Sequence, residues 1–388
     1  MKKIHYGRHF IDEEDIESVV NVLKSDAITQ GSQVPLFEKY ISTYTGSKYA
    51  VAANSATSAL HLACLALDVS PGDLVWTTPI TFVASANCAL YCGAKIDFVD
   101  IDIDTFNISI PNLEKKLIDA EKLGILPKAL IIVHLAGNPC DMQAIKLLSD
   151  KYNFFVIEDA SHAIGASYLG GPIGSCIYSD ITIFSFHPVK IITTGEGGMA
   201  LTNNYLYARK MQLLRTHGIS GESSEMITKS DNEIWNYQQI SLGFNYRMTD
   251  IAASLGISQL KKINCFNGER KRIAENYDKA LANLDIILPK QSANSQSSWH
   301  LYIIRIKDYD KGKKQKNVYT YMREKGIFVN LHYIPVYRHP YYENLGFNFG
   351  YCPNAEIYYQ SALSIPIYYG LTDDEQNLVV SSLMQALD

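Results

Sequence analysis

The chain has 388 residues, of which 47% are hydrophobic and 19% charged, so there is enough apolar surface to exclude a disordered protein. Its 35 basic and 40 acidic residues give a net charge of −5, which argues against a nucleic-acid-binding surface. Seven scattered cysteines without a CxxC pair predict buried thiols in a reducing compartment. The N-terminal residues lack the apolar core of a signal peptide, so we expect a cytoplasmic protein without membrane segments.

From residue 49 onward, short apolar runs alternate with stretches of helical periodicity. The runs that predict strands are 49–54, 73–79, 95–101, 129–136, 154–159, 180–187 and 197–203. Between them the sequence predicts helices over 58–67, 82–91, 111–123 and 141–152. Several strands are apolar on both faces, which is typical of a mostly parallel sheet covered by helices on both sides. We therefore predict a three-layer α/β fold.

The pattern changes in the second half of the chain. Residues 218–246 are polar and aperiodic and predict a long loop, which a helical stretch over 249–284 follows. The remaining pattern predicts a strand at 299–306, a helix at 318–325, a strand at 327–333 and helices near 354–362 and 373–387. The sequence thus predicts a large domain over 1–260 and a smaller C-terminal α+β domain over 261–388.

Polar residues follow two predicted strands, and active residues of open α/β sheets collect at the carboxyl ends of strands. Ser55–Ser58 follows the first strand and begins a helix whose backbone amides can bind a phosphate, although most such clusters are ordinary helix caps. Asp159 ends a very apolar strand, where a carboxylate needs a cation nearby. His162 is close in sequence, but no further ligand accompanies the two residues, so we favour a protonated ring nitrogen over a metal.

Lys190 follows another strand, among apolar residues and before a turn rich in glycine and hydroxyl groups. In isolation it would predict a surface lysine. If it is buried, its pKa falls and the amine becomes nucleophilic, as a Schiff-base lysine requires. A phosphate site, an acid for a ring nitrogen and such a lysine are together the groups that pyridoxal phosphate needs from a protein. The combination predicts a pyridoxal phosphate enzyme without a metal.

The sequence resembles the nucleotide-sugar aminotransferases, which have the fold of aspartate aminotransferase, fold type I of the pyridoxal phosphate enzymes. The resemblance extends over nearly the whole chain through ITQG (28–31), NSATSALHLA (54–63), TTPITFVASAN (77–87), EDASHAIGA (158–166), FSFHPVK (184–190), TTGEGG (193–198), GFNYRMTD (243–250) and HYIPVY (332–337). Within the family, the chain is similar to members that transfer an amino group from glutamate to C4 of a UDP-linked 4-keto-6-deoxy-N-acetylhexosamine, a step towards pseudaminic acid.

The resemblance implies a role for four residues around the ring of the cofactor. Lys190 would bind the cofactor covalently and move protons during turnover, and Asp159 would pair with the ring nitrogen. Phe82 would stack on the ring. His162 would contact the phenolic oxygen, at a position where relatives often have a glutamine.

The resemblance also implies residues for the phosphate and the substrate. The phosphate would be held by Ala56, Thr57 and Ser185, with Asn245 reaching it from the neighbouring subunit of a homodimer. The sugar-nucleotide pocket would be lined by Tyr6, Asp26, Ala27, Ile28, Thr29, Leu331, His332, Tyr333 and Ile334. For the last four, ordinary packing of a small-domain strand explains the sequence equally well.

Three other functions stay open at this point. A sugar dehydratase with the same fold would have a histidine in place of Lys190, so this lysine disfavours it. A non-catalytic relative should lack Lys190 or Asp159, and both are present. An aminotransferase for a dTDP- or GDP-linked 3- or 4-keto sugar is the main rival, because the motifs determine the cofactor and not the sugar.

Overall fold

The computed structural model describes residues 3–226, 235–307 and 310–387. Within them the α-helices are, in chain order, α1 (Glu13–Leu23), α2 (Gln33–Thr45), α3 (Ala56–Ala66), α4 (Ala84–Tyr91), α5 (Ile110–Leu123), α6 (Met142–Tyr152), α7 (Tyr205–Leu214), α8 (Asp250–Leu260), α9 (Ile263–Leu281), α10 (Lys313–Glu324), α11 (Pro340–Glu343), α12 (Pro353–Ser361) and α13 (Asp373–Leu387). None of these helices is long and apolar enough to cross a membrane.

The strands of the described residues range from two to five residues in length. In chain order they are β1 (Ile4–His5), β2 (Tyr49–Ala53), β3 (Leu74–Thr77), β4 (Lys95–Phe98), β5 (Ala129–Val133), β6 (Phe155–Asp159), β7 (Ser167–Tyr168), β8 (Gly171–Pro172), β9 (Ile181–Ser185), β10 (Gly198–Thr202), β11 (Ile219–Ser220), β12 (Gln238–Gln239), β13 (Ile286–Ile287), β14 (Ser295–Gln296), β15 (Tyr302–Ile306), β16 (Ile327–Phe328) and β17 (Ala362–Ile365).

A seven-stranded sheet in the order β2-β10-β9-β6-β5-β3-β4 forms the centre of the molecule. All its strands run in one direction except β10, which is antiparallel to both of its neighbours. The register pairs Gly198, at the start of β10, with Ala53 on one side and with Ser185 on the other. The carboxyl ends of β2 and β9 therefore lie two strands apart at the same edge of the sheet.

Helices cover both faces of this sheet, because its strands are apolar on both sides. On β5, Ile131 belongs to one buried cluster, whereas Leu130 and Ile132 belong to another. Helices α3, α4 and α7 contribute to the first cluster, and α2, α5, α6 and α8 contribute to the second. This arrangement confirms the predicted three-layer fold with a mostly parallel sheet.

The C-terminal part of the chain builds a third core around the sheet β13-β15-β17. Residues of α9, α10 and α13 pack there, so we retain the division near residue 260 as a proposal. The N-terminal strand joins this core, because β1 pairs in parallel with β16 and Ile4 is buried in the same cluster. The N-terminal segment and the C-terminal part of the chain thus share one core.

The structure differs from the predicted elements at several places. The predicted strand 327–333 ends at Phe328, and the chain then makes a backbone bridge from Asn330 to Ser364 before it turns towards the sheet edge. The predicted loop over 218–246 contains the short antiparallel pair β11–β12, and its residues 227–234 lie outside the described part of the chain. Helices α1 and α2 were not predicted.

Candidate active site

A cavity of about 510 Å³ opens at the carboxyl edge of the central sheet. Its walls come from the strand ends of the sheet, from the N-terminal segment and from the chain that follows β16. Ten of the predicted site residues line it together: Tyr6, Ala56, Thr57, Phe82, Asp159, His162, Ser185, Lys190, His332 and Tyr333.

The first turn of α3 forms one wall of the cavity. Ser55 is the N-cap of this helix, and its side chain accepts a hydrogen bond from the backbone nitrogen of Ser58 at 3.1 Å. Ala56 and Thr57 therefore occupy the first two helical positions, where backbone N–H groups and the helix dipole favour an anion. Gly198 makes the close approach of this turn possible, because a Cβ there would lie 2.5 Å from the backbone nitrogen of Ala56.

Asp159 is almost fully buried at the end of β6, and hydrogen bonds fix both of its carboxylate oxygens. Ser85 Oγ donates to Asp159 Oδ2 at 2.6 Å, and Thr81 Oγ1 lies 2.8 Å from Ser85 Oγ. The backbone nitrogen of Ser161 donates to Oδ1 at 3.2 Å. A carboxylate held in this way presents its charge in one direction, as pairing with a protonated ring nitrogen requires.

Lys190 lies in the turn after β9, and its backbone nitrogen donates to the carbonyl of His187 at 2.8 Å. Burial lowers the pKa of Lys190 to about 8, against the opposing effect of the Asp159 carboxylate. A lysine with this pKa is partly neutral near pH 7, so its amine is available as a nucleophile and as a base. Lys190 as a whole is half-buried, and its lowered pKa is the property that a Schiff-base lysine requires.

Phe82 stands at the mouth of the cavity, immediately before α4. Its side chain is 59% exposed, although most large apolar residues of this part of the chain are buried. The ring of Tyr333 lies 6.3 Å away, centroid to centroid, on the same wall. An exposed aromatic face inside a cavity is a surface on which a planar ligand can stack.

His162 makes two side-chain hydrogen bonds. The backbone nitrogen of Ala136 lies 3.3 Å from His162 Nδ1, and Tyr333 Oη lies 3.2 Å from Nε2. The ring of His300 is 4.3 Å from that of His162. Burial, together with the nearby charges of Lys190 and His332, holds the pKa of His162 well below its usual range, so the imidazole is neutral.

Two residues from opposite ends of the chain complete the cavity wall. Tyr6 follows β1, and its carbonyl accepts a hydrogen bond from the backbone nitrogen of Ile367 at 3.0 Å. His332 lies 4.8 Å from the Tyr6 ring and bonds to Ser364 Oγ through Nδ1 at 2.9 Å. Burial and the charge of Lys190 lower the pKa of His332 to about 3. This part of the wall is therefore polar and uncharged at neutral pH.

The remaining predicted site residues do not line this cavity. Asn245 is exposed and forms an isolated bridge with Thr216, while Leu331 packs against a buried cluster and Ile334 is exposed. Of the segment Asp26–Thr29, Asp26 and Ala27 line a separate cleft between α1, α2 and α8, and Ile28 and Thr29 are exposed. Their proposed roles with a second subunit or a sugar nucleotide stay predictions.

Three further residues at the cavity were not predicted as site residues from the sequence. Ser85 holds Asp159, and Asn330 and Glu196 line the cavity. Ser85 lies four residues after Thr81 near the start of α4, and that spacing places both hydroxyls on one face of a helical turn. Nothing in the local sequence singled out Asn330, because its position depends on where β16 ends.

The cavity fits pyridoxal phosphate in each of its parts. The first turn of α3 and Ser185 offer donors for a phosphate, and the buried Asp159 offers an acceptor for a protonated ring nitrogen. Phe82 offers a stacking face, and Lys190 offers an amine with a lowered pKa. These are the protein groups that this cofactor requires.

Comparison with curated proteins gives similar sequences along almost the whole chain. The chain is 38% identical over 387 residues to the UDP-4-amino-4,6-dideoxy-N-acetyl-β-L-altrosamine transaminase of Campylobacter jejuni, which covers 99% of this chain and 98% of that protein. It is 36% identical over 384 residues to a spore coat polysaccharide biosynthesis protein of Bacillus subtilis, which covers 97% and 95% of the two chains.

Solved structures of aminotransferases are also similar to this chain. Helicobacter pylori PseC, an aminotransferase of pseudaminic acid biosynthesis, superposes with a TM-score of 0.89 at 31% identity and covers 100% of this chain and 99% of its own. A sugar aminotransferase of Streptococcus pneumoniae in its PMP-form gives 0.90 at 30% identity, with 99% and 98% covered. The model of the DegT/DnrJ/EryC1/StrS aminotransferase family matches residues 9–384. The chain therefore belongs to this family, and it is a pyridoxal phosphate-dependent sugar aminotransferase.

Proposed function

We propose that this enzyme transfers an amino group from glutamate to C4 of a UDP-linked 4-keto-6-deoxy-N-acetylhexosamine. The product would be UDP-4-amino-4,6-dideoxy-N-acetyl-β-L-altrosamine, on the route to pseudaminic acid. The observation that carries this proposal is the similarity, over nearly the full length of both chains, to the Campylobacter jejuni transaminase named for that product. The similarity to PseC supports the same choice of sugar.

Lys190 carries the chemistry in this proposal. When bound, pyridoxal phosphate supplies an electron sink that lets an amino group pass from one carbon to another. Because its pKa is about 8, Lys190 Nζ can bond to the cofactor and, once released, can take up and return a proton at the substrate carbon. The same side chain thus serves as attachment point and as general acid–base.

The other large-domain residues position the cofactor. We propose that Asp159 Oδ2, which Ser85 fixes, accepts a hydrogen bond from the protonated ring nitrogen. The backbone amides of Ala56 and Thr57, with Ser185 Oγ, would bind the phosphate at the start of α3. The cofactor is then held at two ends, so Lys190 meets it in one orientation.

The wall opposite these groups would receive the sugar. Tyr6 and His332 are neutral hydrogen-bonding side chains, and the low pKa of His332 keeps this wall uncharged at physiological pH. Neutral donors and acceptors suit the hydroxyl and N-acetyl groups of a hexosamine. An uncharged wall also avoids an added cation next to Lys190, which would lower the pKa of that lysine further.

We also propose that the enzyme works as a homodimer in the cytoplasm. Asn245 is exposed and lies beside the end of β2, since Asn54 donates to the carbonyl of Tyr246 at 2.8 Å. We propose that Asn245 reaches the phosphate site of a second subunit, as the resemblance to the nucleotide-sugar aminotransferases implies. Six of the seven cysteines are buried and all seven are free, which suits a reducing compartment.

The substrate is tested by a glutamate-dependent assay over a panel of UDP-, dTDP- and GDP-linked 3- and 4-keto sugars. We expect turnover of the UDP-linked 4-keto-6-deoxy-N-acetylhexosamine, with NMR of the product showing the amine at C4 and its stereochemistry. Activity confined to a dTDP-linked 3-keto sugar would contradict the proposal.

The role of Lys190 is tested separately by Lys190→Ala. We expect this variant to lose both turnover and the visible absorbance of the lysine-bound cofactor. Lys115→Ala, at an exposed position on α5, is the matched control and should keep both. A Lys190→Ala enzyme that retained turnover and absorbance would show that another group binds the cofactor.

A further inference from the structure

The hydrogen bonds of His162 determine which of its ring nitrogens carries the proton. The backbone N–H of Ala136 can only donate, and it points at Nδ1 from 3.3 Å. Nδ1 must therefore offer a lone pair. Because the imidazole is neutral, its single proton resides on Nε2. Nε2 lies 3.2 Å from Tyr333 Oη, so His162 is the donor in that hydrogen bond and Tyr333 the acceptor.

Because Tyr333 accepts this hydrogen bond, its own hydroxyl proton is not engaged in it. Burial raises the pKa of Tyr333 above its usual value, with smaller contributions from Tyr6 and Asp159, so the phenol keeps its proton. Tyr333 Oη makes no other hydrogen bond within the described residues. Since Tyr333 lines the cavity, its O–H is available to an oxygen atom bound there.

The chemistry of the cofactor indicates which of its oxygen atoms accepts this hydrogen bond from Tyr333. On the pyridine ring, the phosphate arm lies on one edge between the ring nitrogen and the carbon that bonds to lysine, and the phenolic oxygen lies on the other edge. The first turn of α3 and Ser185 form the phosphate edge. His162 and Tyr333 line the same cavity as Lys190 and Asp159, and neither belongs to the first turn of α3 or to the end of β9. We therefore expect both residues to lie beside the ring of a bound cofactor, away from its phosphate edge.

We propose that Tyr333, oriented by His162, donates its hydroxyl proton to the phenolic oxygen of the bound cofactor. This inference deepens the proposed function and rests on it only for the cofactor, not for the sugar. It assigns to Tyr333 the contact that the resemblance to relatives suggested for His162. His162 becomes a positioning residue, which acts through Tyr333 because its own N–H is already engaged.

The donated hydrogen bond has a spectroscopic consequence. It stabilises negative charge on the phenolic oxygen, and that oxygen otherwise shares the proton of the imine between Lys190 and the cofactor. Removal of the donor should therefore make the imine hold its proton more tightly and raise its pKa. A hydrogen bond to a charged group corresponds to a shift of about 1 pH unit, a tenfold change in the equilibrium.

The experiment is a pH titration of the visible absorbance of the holoenzyme, without any substrate. We expect Tyr333→Phe to raise the midpoint by about 1 pH unit. His162→Gln, which retains an N–H donor, should keep the midpoint near that of the unaltered enzyme. The double variant His162→Ala/Tyr333→Phe should shift no further than Tyr333→Phe, since the two residues act through one bond.

Tyr351→Phe is the matched control, because the Tyr351 hydroxyl bonds to Asp97 outside the cavity and should leave the midpoint unchanged. Cofactor content, measured in each variant, shows that the site is intact. A Tyr333→Phe midpoint equal to that of the unaltered enzyme overturns the inference. If His162→Ala alone raises the midpoint while Tyr333→Phe does not, the imidazole makes the contact directly. Because no sugar is added, a wrong substrate proposal leaves this result unaffected.

Discussion

Replacement of Gly198 by alanine should weaken cofactor binding without unfolding the enzyme. Gly198 begins β10 and lies against the N-cap of α3. An added Cβ would be 2.5 Å from the backbone nitrogen of Ala56 and from the carbonyl carbon and oxygen of Ser55. These are backbone atoms, which cannot rotate away as a flexible side chain can. The methyl group must push the start of α3 away from the sheet edge.

The size of the effect follows from these distances. Ordinary contact begins at about 3.4 Å, so the strand and the helix turn must separate by about 0.9 Å. Overpacking of this kind costs about 1–3 kcal/mol. If that cost falls on the conformation that binds the phosphate, the dissociation constant for pyridoxal phosphate rises by a factor of about 5 to 150.

The dissociation constant can be measured by titrating the apoprotein with pyridoxal phosphate and following the visible absorbance. Gly268→Ala is the matched control, because a Cβ at this position on α9 meets no atom within 4 Å and should leave affinity unchanged. A melting curve of each apoprotein separates local displacement from unfolding. If Gly198→Ala bound the cofactor within twofold of the unaltered chain, the phosphate site could not depend on the position of this turn.

Two further predictions concern Lys190 and Asp250. Because the pKa of Lys190 is about 8, the neutral fraction that attacks the cofactor rises roughly tenfold per pH unit below pH 8 and then levels off. The reconstitution rate of the apoprotein, followed by visible absorbance, should do the same, and a rate that kept climbing past pH 9.5 would contradict the lowered pKa. The buried Asp250 accepts backbone hydrogen bonds from Gly31 and Gln33 at 2.6 and 2.7 Å, so Asp250→Asn should cost about 2–4 kcal/mol of folding free energy. Calorimetry should show a melting temperature lower by about 2–5 °C, and the exposed Asp374→Asn serves as the control that should not change it.

The sheet was predictable from the sequence because its strands are buried on both faces. The stretches 129–133 and 154–157 are apolar at every position, which distinguishes them from the helices between them. Helices α1 and α2 carry weaker signals. Only Asp15 and Val22 of α1 are buried, and the capping box between Asp12 and Asp15 is formed entirely by acidic residues. A prediction based on apolar periodicity does not detect a helix that is marked mainly by such a cap.

Residues of the candidate site could be predicted where they lie at, or directly after, the end of a predicted strand. Asp159 ends β6 and Lys190 follows β9, so the order of the chain already places them at one edge. Ser85 and Asn330 could not be found in this way. Their places depend on how α4 packs beside β6 and on where β16 stops, and both are results of tertiary packing.

The pairing of β1 with β16 also affects the order in which the site can be assembled. The register joins Ile4 to Ile327, so the partner of the first strand is made only after the whole central sheet has been synthesised. Domains fold as they leave the ribosome, N-terminal part first. A nascent chain could therefore complete the sheet, with Asp159 and Lys190 in place, while Tyr6 still had no neighbour to hold it. We therefore expect the wall proposed to receive the sugar to form after the central sheet.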